Sequence, residues 1–143
     1  MEHKNEQFVL MDLKTTGLGK NDAIVSINLV KYLWADTSKP IDTFSTYIKP
    51  WNDTPISNEA FLIHHITKND VKDSPLFSEV ADEINAFIGR SDIMGFNLQS
   101  FDILFLCREM NRCGKSFILA NRTYIDVYEE EVRRKPNTLD GIS

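Results

Sequence analysis

Blocks of apolar and polar residues along the chain predict strands first and helices afterwards. Residues 7–13 are almost wholly apolar, which is typical of a strand buried on both faces in the middle of a mixed sheet. Residues 23–34 predict a long second strand, and residues 43–48 alternate apolar with polar side chains as a third. A three-strand meander is the simplest assembly of these segments.

Helical patterns begin after residue 55. Ser57 is a candidate N-cap for a short helix that reaches His64, and residues 67–70 resemble a capping box with aspartate in its last position. The pair Ser74-Pro75 predicts the start of a longer helix, whose apolar side chains keep helical spacing until Gly89 ends it. We therefore expect three helical segments between the third and fourth strands.

The rest of the chain returns to the sheet. We expect a short fourth strand at 93–94, a turn at 95–97, a helix at 100–111, a fifth strand at 123–127 and a charged helix at 128–135. This order predicts an α/β domain in which the first, fourth and fifth strands run parallel. With 143 residues, of which 42% are hydrophobic, we expect residues 1–143 to form a single domain.

Charge and cysteine content limit the function classes. A net charge of −5 argues against a domain that holds nucleic acid mainly by a basic surface. It leaves open an enzyme that recruits phosphate through bound divalent ions. The polar N-terminus and the lack of a long apolar segment predict a soluble protein without a membrane partner. Cys107 and Cys113 have no zinc-ligand spacing, so we expect free thiols and a cytoplasmic location.

Two acids follow predicted strands and are candidates for chemistry. The segment 8–18, Phe-Val-Leu-Met-Asp-Leu-Lys-Thr-Thr-Gly-Leu, brings Asp12 to the end of the first strand and then turns. Asp102 follows the fourth strand by a short turn. Because the carboxyl ends of adjacent parallel strands meet at one edge of a sheet, we expect Asp12 and Asp102 to converge there.

These segments resemble the DEDD (DnaQ-like) 3′-5′ exonucleases. The family's first motif is Asp-x-Glu-Thr-Thr-Gly-Leu, and residues 95–102, Gly-Phe-Asn-Leu-Gln-Ser-Phe-Asp, are similar to its second motif. The second segment has phenylalanine for histidine and one residue more than the usual bacterial form, Gly-His-Asn-x-x-Phe-Asp. Residues 56–60, 63–67 and 73–80 are similar to further family segments, so the resemblance covers about 7–142.

The resemblance implies a ribonuclease-H-like fold, with a mixed five-stranded sheet flanked by helices, and hydrolysis from the 3′ ends of single-stranded DNA or RNA. In the family, four carboxylates hold two Mg²⁺ or Mn²⁺ ions, which clamp the attacking water and the leaving oxygen. A histidine or tyrosine acts as the base. Here Asp12 and Asp102 would be the metal ligands. The residues at the family's substrate-contacting positions are Thr15, Thr16, Gly17, Leu18, Asn97 and Phe101.

The chain departs from the family at two places. Lys14 stands where the family carries a metal-binding glutamate, and no His-x-x-x-x-Asp motif follows before Ser143. We therefore expect that the C-terminal helical part is missing. Two aspartates and one lysine sum to −1, too little to neutralise two divalent ions. An ammonium about 4 Å from a divalent ion, at an effective dielectric of about 20, is repelled by about 8 kcal/mol. We hypothesise that Lys14 is a tethered cation that pairs with Asp12, with Asp102 as a candidate second partner, at the place where a metal would sit.

Three functions remain open from the sequence. The first is a catalytically impaired exonuclease domain that binds nucleic acid or a protein. The second is an active exonuclease completed by a second chain or by residues outside this one. The third is a truncated product without independent function. Lys14 as an ordinary solvated lysine stays an alternative to the tethered cation. His64 and His65 are adjacent and share no helix face, so a structural or exposed position is favoured over a metal site.

Overall fold

A computed structural model of the chain describes residues 3–127, except the side chains of residues 99 and 100. Five strands form one sheet in the order β3-β2-β1-β4-β5. The strands are β1 (Gln7–Thr15), β2 (Ile24–Leu33), β3 (Asp42–Tyr47), β4 (Asp92–Gly95) and β5 (Tyr124–Asp126). The pairs β1–β2 and β2–β3 are antiparallel, whereas β1–β4 and β4–β5 are parallel. The predicted meander and the parallel set of first, fourth and fifth strands are confirmed.

Helices connect the meander to β4 and β4 to β5. They are α1 (Asn58–His64), α2 (Lys68–Val71), α3 (Phe77–Ile88) and α4 (Ile103–Arg112), with a 3₁₀ turn at Trp51–Asp53 and a π-helical turn at Leu98–Asp102. Ser57 caps α1 and Thr67 and Asp70 form the capping box of α2, as predicted. The predicted helix at 128–135, with its basic residues 133–135, lies outside the described residues.

The long helix α3 begins later than predicted. It starts at Phe77 rather than at Ser74-Pro75, and the Glu79 side chain accepts a hydrogen bond from the Leu76 amide at 2.8 Å. The Pro75 carbonyl accepts a hydrogen bond from the Lys49 amide, and Leu76 forms an isolated bridge with Lys49. This contact keeps the backbone extended up to Leu76, so the helix can begin only afterwards.

The strand β1 continues two residues beyond the predicted end at residue 13, to Thr15. Asp12 is therefore three residues before the end of β1 and not its final residue. Lys14 lies opposite Ser26 and Thr15 opposite Ile24, so Val25 is an extra residue in β2. Such a bulge increases the local twist of the strand pair and re-aims nearby side chains.

The main core lies between the sheet and the helices α3 and α4. Its buried side chains include Met11, Ile27, Ile84, Leu106 and Met110. Cys107 and Cys113 are half-buried free thiols, as expected. Within residues 3–127, no helix combines the length and hydropathy that crossing a membrane requires.

Candidate active site

Lys14 and Asp12 form an ion pair on β1. The Lys14 Nζ lies 3.0 Å from Asp12 Oδ2 and 3.1 Å from Oδ1. Residues two apart in a strand point to the same face, which brings the two side chains together. The side chains are 37% and 54% exposed, so this pair lies at the surface of the site.

Asp102 lies next to this pair but inside the protein, with 4% of its surface exposed. A Cβ placed on Gly95 would lie 2.9 Å from the Met11 carbonyl oxygen and 3.8 Å from Asp102 Oδ2. The Asp102 carboxyl group therefore lies over the junction of β1 and β4, as the sequence predicts. Burial first, and then the charge of Asp12, raise the pKa of Asp102 to about 7, while Lys14 lowers it and Asp126 raises it. A proton therefore stays on Asp102 up to near neutral pH.

A widened helical turn carries Asp102. The Ile103 amide donates to the Leu98 carbonyl, five residues back, which defines the π-helical turn. A π turn holds one residue more than an α turn between the same two ends. It therefore accommodates the extra residue that separates 95–102 from the usual bacterial motif. The predicted helix at 100–111 thus begins earlier, as this irregular turn.

Asp126, at the end of β5, is a third acid at this edge of the sheet. Its oxygens accept hydrogen bonds from the amides of Asn97, at 2.9 Å, and Leu98, at 3.0 Å. It thereby holds the turn that leads into the π helix, where Asn97 has a left-handed φ of 52°. Asp126 was not among the residues predicted from the sequence, although the pattern that indicated Asp12, an acid near the carboxyl end of a parallel strand, applies to it equally.

The turn at 16–23, between β1 and β2, is braced from inside. The Thr16 hydroxyl donates to Asp22 Oδ1 at 2.6 Å and accepts from the Ala23 amide at 3.0 Å. The Gly19 amide donates to Asp22 Oδ2 at 2.7 Å. A Cβ on Gly17 would lie 2.6 Å from the same oxygen, so a side chain there would have to displace the Asp22 carboxylate. Thr16 is buried in this network and faces the interior rather than the surface.

A cavity of about 510 Å³ opens beside Lys14, between this turn and α1. Of the six predicted substrate-contacting residues, it is lined by Thr15, Gly17, Leu18, Asn97 and Phe101. Its other lining residues, apart from Lys14, were not predicted to bind substrate and are Leu13, Asp22, Ser57, Glu59, Ala60, Ile63 and His64. Leu18 is 82% exposed at the cavity mouth. Most of the wall is apolar, which suits a flat, weakly polar group such as a nucleobase.

His64 has a structural role, which the sequence analysis favoured over metal binding. Its Nδ1 accepts a hydrogen bond from the Ile66 amide at 3.0 Å, so the ring proton is on Nε2. The Nε2 donates to the Thr15 carbonyl at 2.9 Å. Both ring nitrogens are thus engaged with the backbone, and His64 ties α1 to the end of β1.

The described residues do not fit a two-ion centre. Among residues 3–127, no three acidic, histidine or cysteine side chains come together as metal ligands. The Asp12 carboxylate is paired with Lys14, and the Asp102 carboxyl group keeps its proton up to about pH 7. A carboxylate must be deprotonated to bind a metal, so both predicted ligands are compromised at neutral pH.

Comparison with known proteins identifies relatives of most of the chain. The family model described as Exonuclease (RNase_T) matches residues 9–134. The DNA polymerase III subunit epsilon of Rickettsia conorii is 35% identical over 138 residues, covering 94% of this chain and 52% of that protein. The subunit epsilon of Treponema pallidum is 32% identical over 114 residues, covering 79% of this chain and 50% of that protein. The chain therefore spans about half the length of these relatives.

Solved structures share the fold. Escherichia coli exonuclease I in complex with a 5cy-dA13 oligonucleotide superimposes with a TM-score of 0.80 at 17% identity, covering 96% of this chain and 33% of that one. Its zinc-bound form in a single-stranded DNA complex gives a TM-score of 0.74 at 19% identity, covering 86% and 28%. The mixed five-stranded sheet with flanking helices is thus the ribonuclease-H-like arrangement that the resemblance implied.

Proposed function

Because the chain belongs to the DnaQ-like 3′-5′ exonuclease family, we propose that it binds the 3′ ends of single-stranded DNA or RNA. In this proposal the exonuclease fold is retained and its metal centre is impaired. The family is metal-dependent, and in it Mg²⁺ or Mn²⁺ would supply the charge that draws the phosphodiester into the site. The observation that most supports an impaired metal centre in this chain is the ion pair between Lys14 and Asp12.

The ion pair opposes a metal in two ways. It occupies the acceptor oxygens of Asp12, and its ammonium repels any ion bound to Asp102. At an effective dielectric of about 20, repulsion between a single and a double charge about 4 Å apart is about 8 kcal/mol. The partial exposure of both side chains screens this repulsion. Even a quarter of it would weaken metal affinity about 30-fold.

The cavity beside Lys14 is the proposed seat of the terminal nucleotide. Leu18 and Phe101 offer apolar surface for a base, and Asn97 and Thr15 add polar atoms at the cavity wall. Base stacking on side chains contributes about 1–3 kcal/mol per base and needs no metal. Structures of the related exonuclease I hold single-stranded DNA or an oligonucleotide, which supports this substrate class here. The proposal covers binding without hydrolysis.

An active exonuclease is the second candidate. It is favoured by the family match and by the relatives, which are about twice as long as this chain. In this case the missing acid and base come from a second chain or from residues outside 3–127, and Mg²⁺ or Mn²⁺ is the cofactor. The relatives are subunits of DNA polymerase III, so a polymerase is the corresponding candidate protein partner.

The decisive experiment titrates Mn²⁺ into the parent chain, a Lys14→Glu variant and a Lys39→Glu variant by calorimetry. Lys39 is an exposed loop lysine outside the site and controls for the change in net charge. We expect no Mn²⁺ binding by the parent or Lys39→Glu and clear binding by Lys14→Glu. Tight Mn²⁺ binding by the parent would refute an impaired metal centre. If Lys14→Glu binds Mn²⁺ no better than the parent, Lys14 is not what prevents metal binding.

The same three proteins are mixed with a labelled single-stranded oligonucleotide. In EDTA we expect the parent to bind the strand with an affinity that falls as salt rises, because part of the binding is to phosphates. With Mn²⁺ present we expect the parent to leave the strand intact. Release of 3′ nucleotides by the parent would establish the active exonuclease instead.

A further inference from the structure

The helix α4 carries a buried acid that the proposed chemistry does not use. The Glu109 side chain is 2% exposed. Its Oε2 accepts a hydrogen bond from the Ile24 amide at 2.8 Å, and its Oε1 lies 3.4 Å from Arg112 Nη1. Burial raises the pKa of Glu109, while the Ile24 amide and the Arg112 charge lower it. Burying a carboxyl group is unfavourable unless it is hydrogen-bonded or paired, so we expect the hydrogen bonds of Glu109 to have a structural role.

What Glu109 holds is the start of β2 beside the bulge. Ile24 is the residue opposite Thr15, and the extra residue Val25 follows it. The Ile24 amide is bonded to a side chain on α4. The carboxyl group therefore anchors the backbone at the point where the turn 16–23 enters β2.

Arg112 and Arg108 hold the same turn from its carbonyl side. The Arg112 Nη2 donates to the carbonyls of Lys20, at 3.3 Å, and Asp22, at 3.2 Å. The Arg108 Nη1 donates to the Gly19 carbonyl at 3.2 Å. The Arg112 guanidinium also lies 4.2 Å from the centre of the Trp51 ring. Glu109 and Arg112 thus form a clamp on the backbone of the turn. Glu109 accepts from an amide at its end, and Arg112 donates to two of its carbonyls.

We propose that Glu109 and Arg112 are positioning residues: by holding the turn 16–23, they keep the cavity in the shape that binds the 3′ end of a single strand. Leu18 and Gly17 form one wall of the cavity, and Leu18 is exposed. The position of this wall depends on the backbone of the turn. The clamp fixes that backbone relative to α4, the helix that follows Asp102 directly. The inference rests on the proposed binding of nucleic acid in the cavity.

The test compares Glu109→Ala, Glu109→Gln and Arg112→Lys with the parent, using amide hydrogen exchange and oligonucleotide binding in EDTA. In Glu109→Ala we expect at least 10-fold faster exchange at Gly19, Asp22 and Ile24, and about 10-fold weaker binding of a labelled single strand. Glutamine retains an acceptor for the Ile24 amide, so Glu109→Gln should recover most of both. Glu83→Ala, which removes an exposed acid from α3, is the matched control and should equal the parent.

The two readouts separate the two proposals. If the parent binds no strand, the proposed function fails, and the exchange rates show whether the clamp still holds the turn. If Glu109→Ala exchanges at the parent's rate in the turn, or exchanges faster but binds equally well, the positioning role is overturned. Should Glu109→Ala fail to fold, Arg112→Lys decides, since it keeps a positive charge beside the acid but shortens the reach to Lys20 and Asp22.

Discussion

Replacing Asp102 with asparagine removes a carboxyl group whose pKa is raised to about 7 in the folded protein, chiefly by burial and then by the charge of Asp12. The folded protein binds this proton more tightly than the unfolded chain, where the usual value is 3.8. Raising the pH from 3.8 to about 7 therefore lowers the free energy of unfolding of the parent, because in this range Asp102 loses its proton more readily in the unfolded chain than in the folded protein. The asparagine variant carries no such proton and escapes the loss.

The size of the effect follows from the pKa interval. A shift of about three units corresponds to about 4 kcal/mol, at about 1.4 kcal/mol per unit. The part of this loss that falls between pH 5 and pH 8 is about 2.5 kcal/mol. We therefore expect Asp102→Asn to gain about 2.5 kcal/mol of unfolding free energy relative to the parent when the pH is raised from 5 to 8.

Urea unfolding followed by circular dichroism, at pH 5 and pH 8 in EDTA, measures this difference. Groups that do not interact with Asp102 contribute equally in both proteins and cancel in the comparison. Asp73→Asn, which changes an exposed loop aspartate, is the control and should follow the parent at both pH values. A stability difference between Asp102→Asn and parent that stays constant within about 0.5 kcal/mol would show that Asp102 does not titrate in this range.

Two further substitutions test the scaffold. Gly17→Ala should lower stability by about 1–3 kcal/mol and weaken oligonucleotide binding, because the new Cβ would lie 2.6 Å from Asp22 Oδ2; thermal melting and binding titration measure both, and unchanged values would show that the turn yields freely. Asp92→Asn should cost about 3 kcal/mol in urea unfolding, because the carboxylate accepts five hydrogen bonds, among them those of Asn5 and Trp34, and an amide cannot accept them all. A loss below about 1 kcal/mol would contradict that role.

Local signals were sufficient for much of the fold. The caps at Ser57 and at 67–70 depend on side chains a few residues away, so the sequence predicted both helix starts. The start of α3 depends on Lys49, which is distant in the chain, and could not be read from Ser74-Pro75.

The candidate site was predictable to the same extent. Strand order indicated that Asp12 and Asp102 would converge. Lysine at the family's glutamate position, together with the charge sum of the site, indicated that Lys14 would pair with Asp12, and the 3.0 Å ion pair agrees. The burial of Glu109 was not predictable, because an acid in a helix is usually solvated and only the packing of α4 against the turn buries it. Thr16 was predicted to contact substrate, yet its hydroxyl is used inside the turn. Thr16 is also not among the residues that line the cavity.

The π-helical turn at Leu98–Asp102 determines how the extra residue of this motif affects the direction of the side chains at its two ends. Each residue of a regular helix advances about 100° around the axis. Deleting one residue from a regular α turn would therefore rotate one of its ends by about that angle. Deleting one from this π turn instead leaves an α turn between the same two ends, with Asp102 at the β1–β4 junction and Leu98 at Asp126. The longer and shorter forms of this motif are thus alternative solutions to one geometric problem. A homologue of the shorter form cannot be aligned here by a gap placed arbitrarily, since the gap belongs inside this turn.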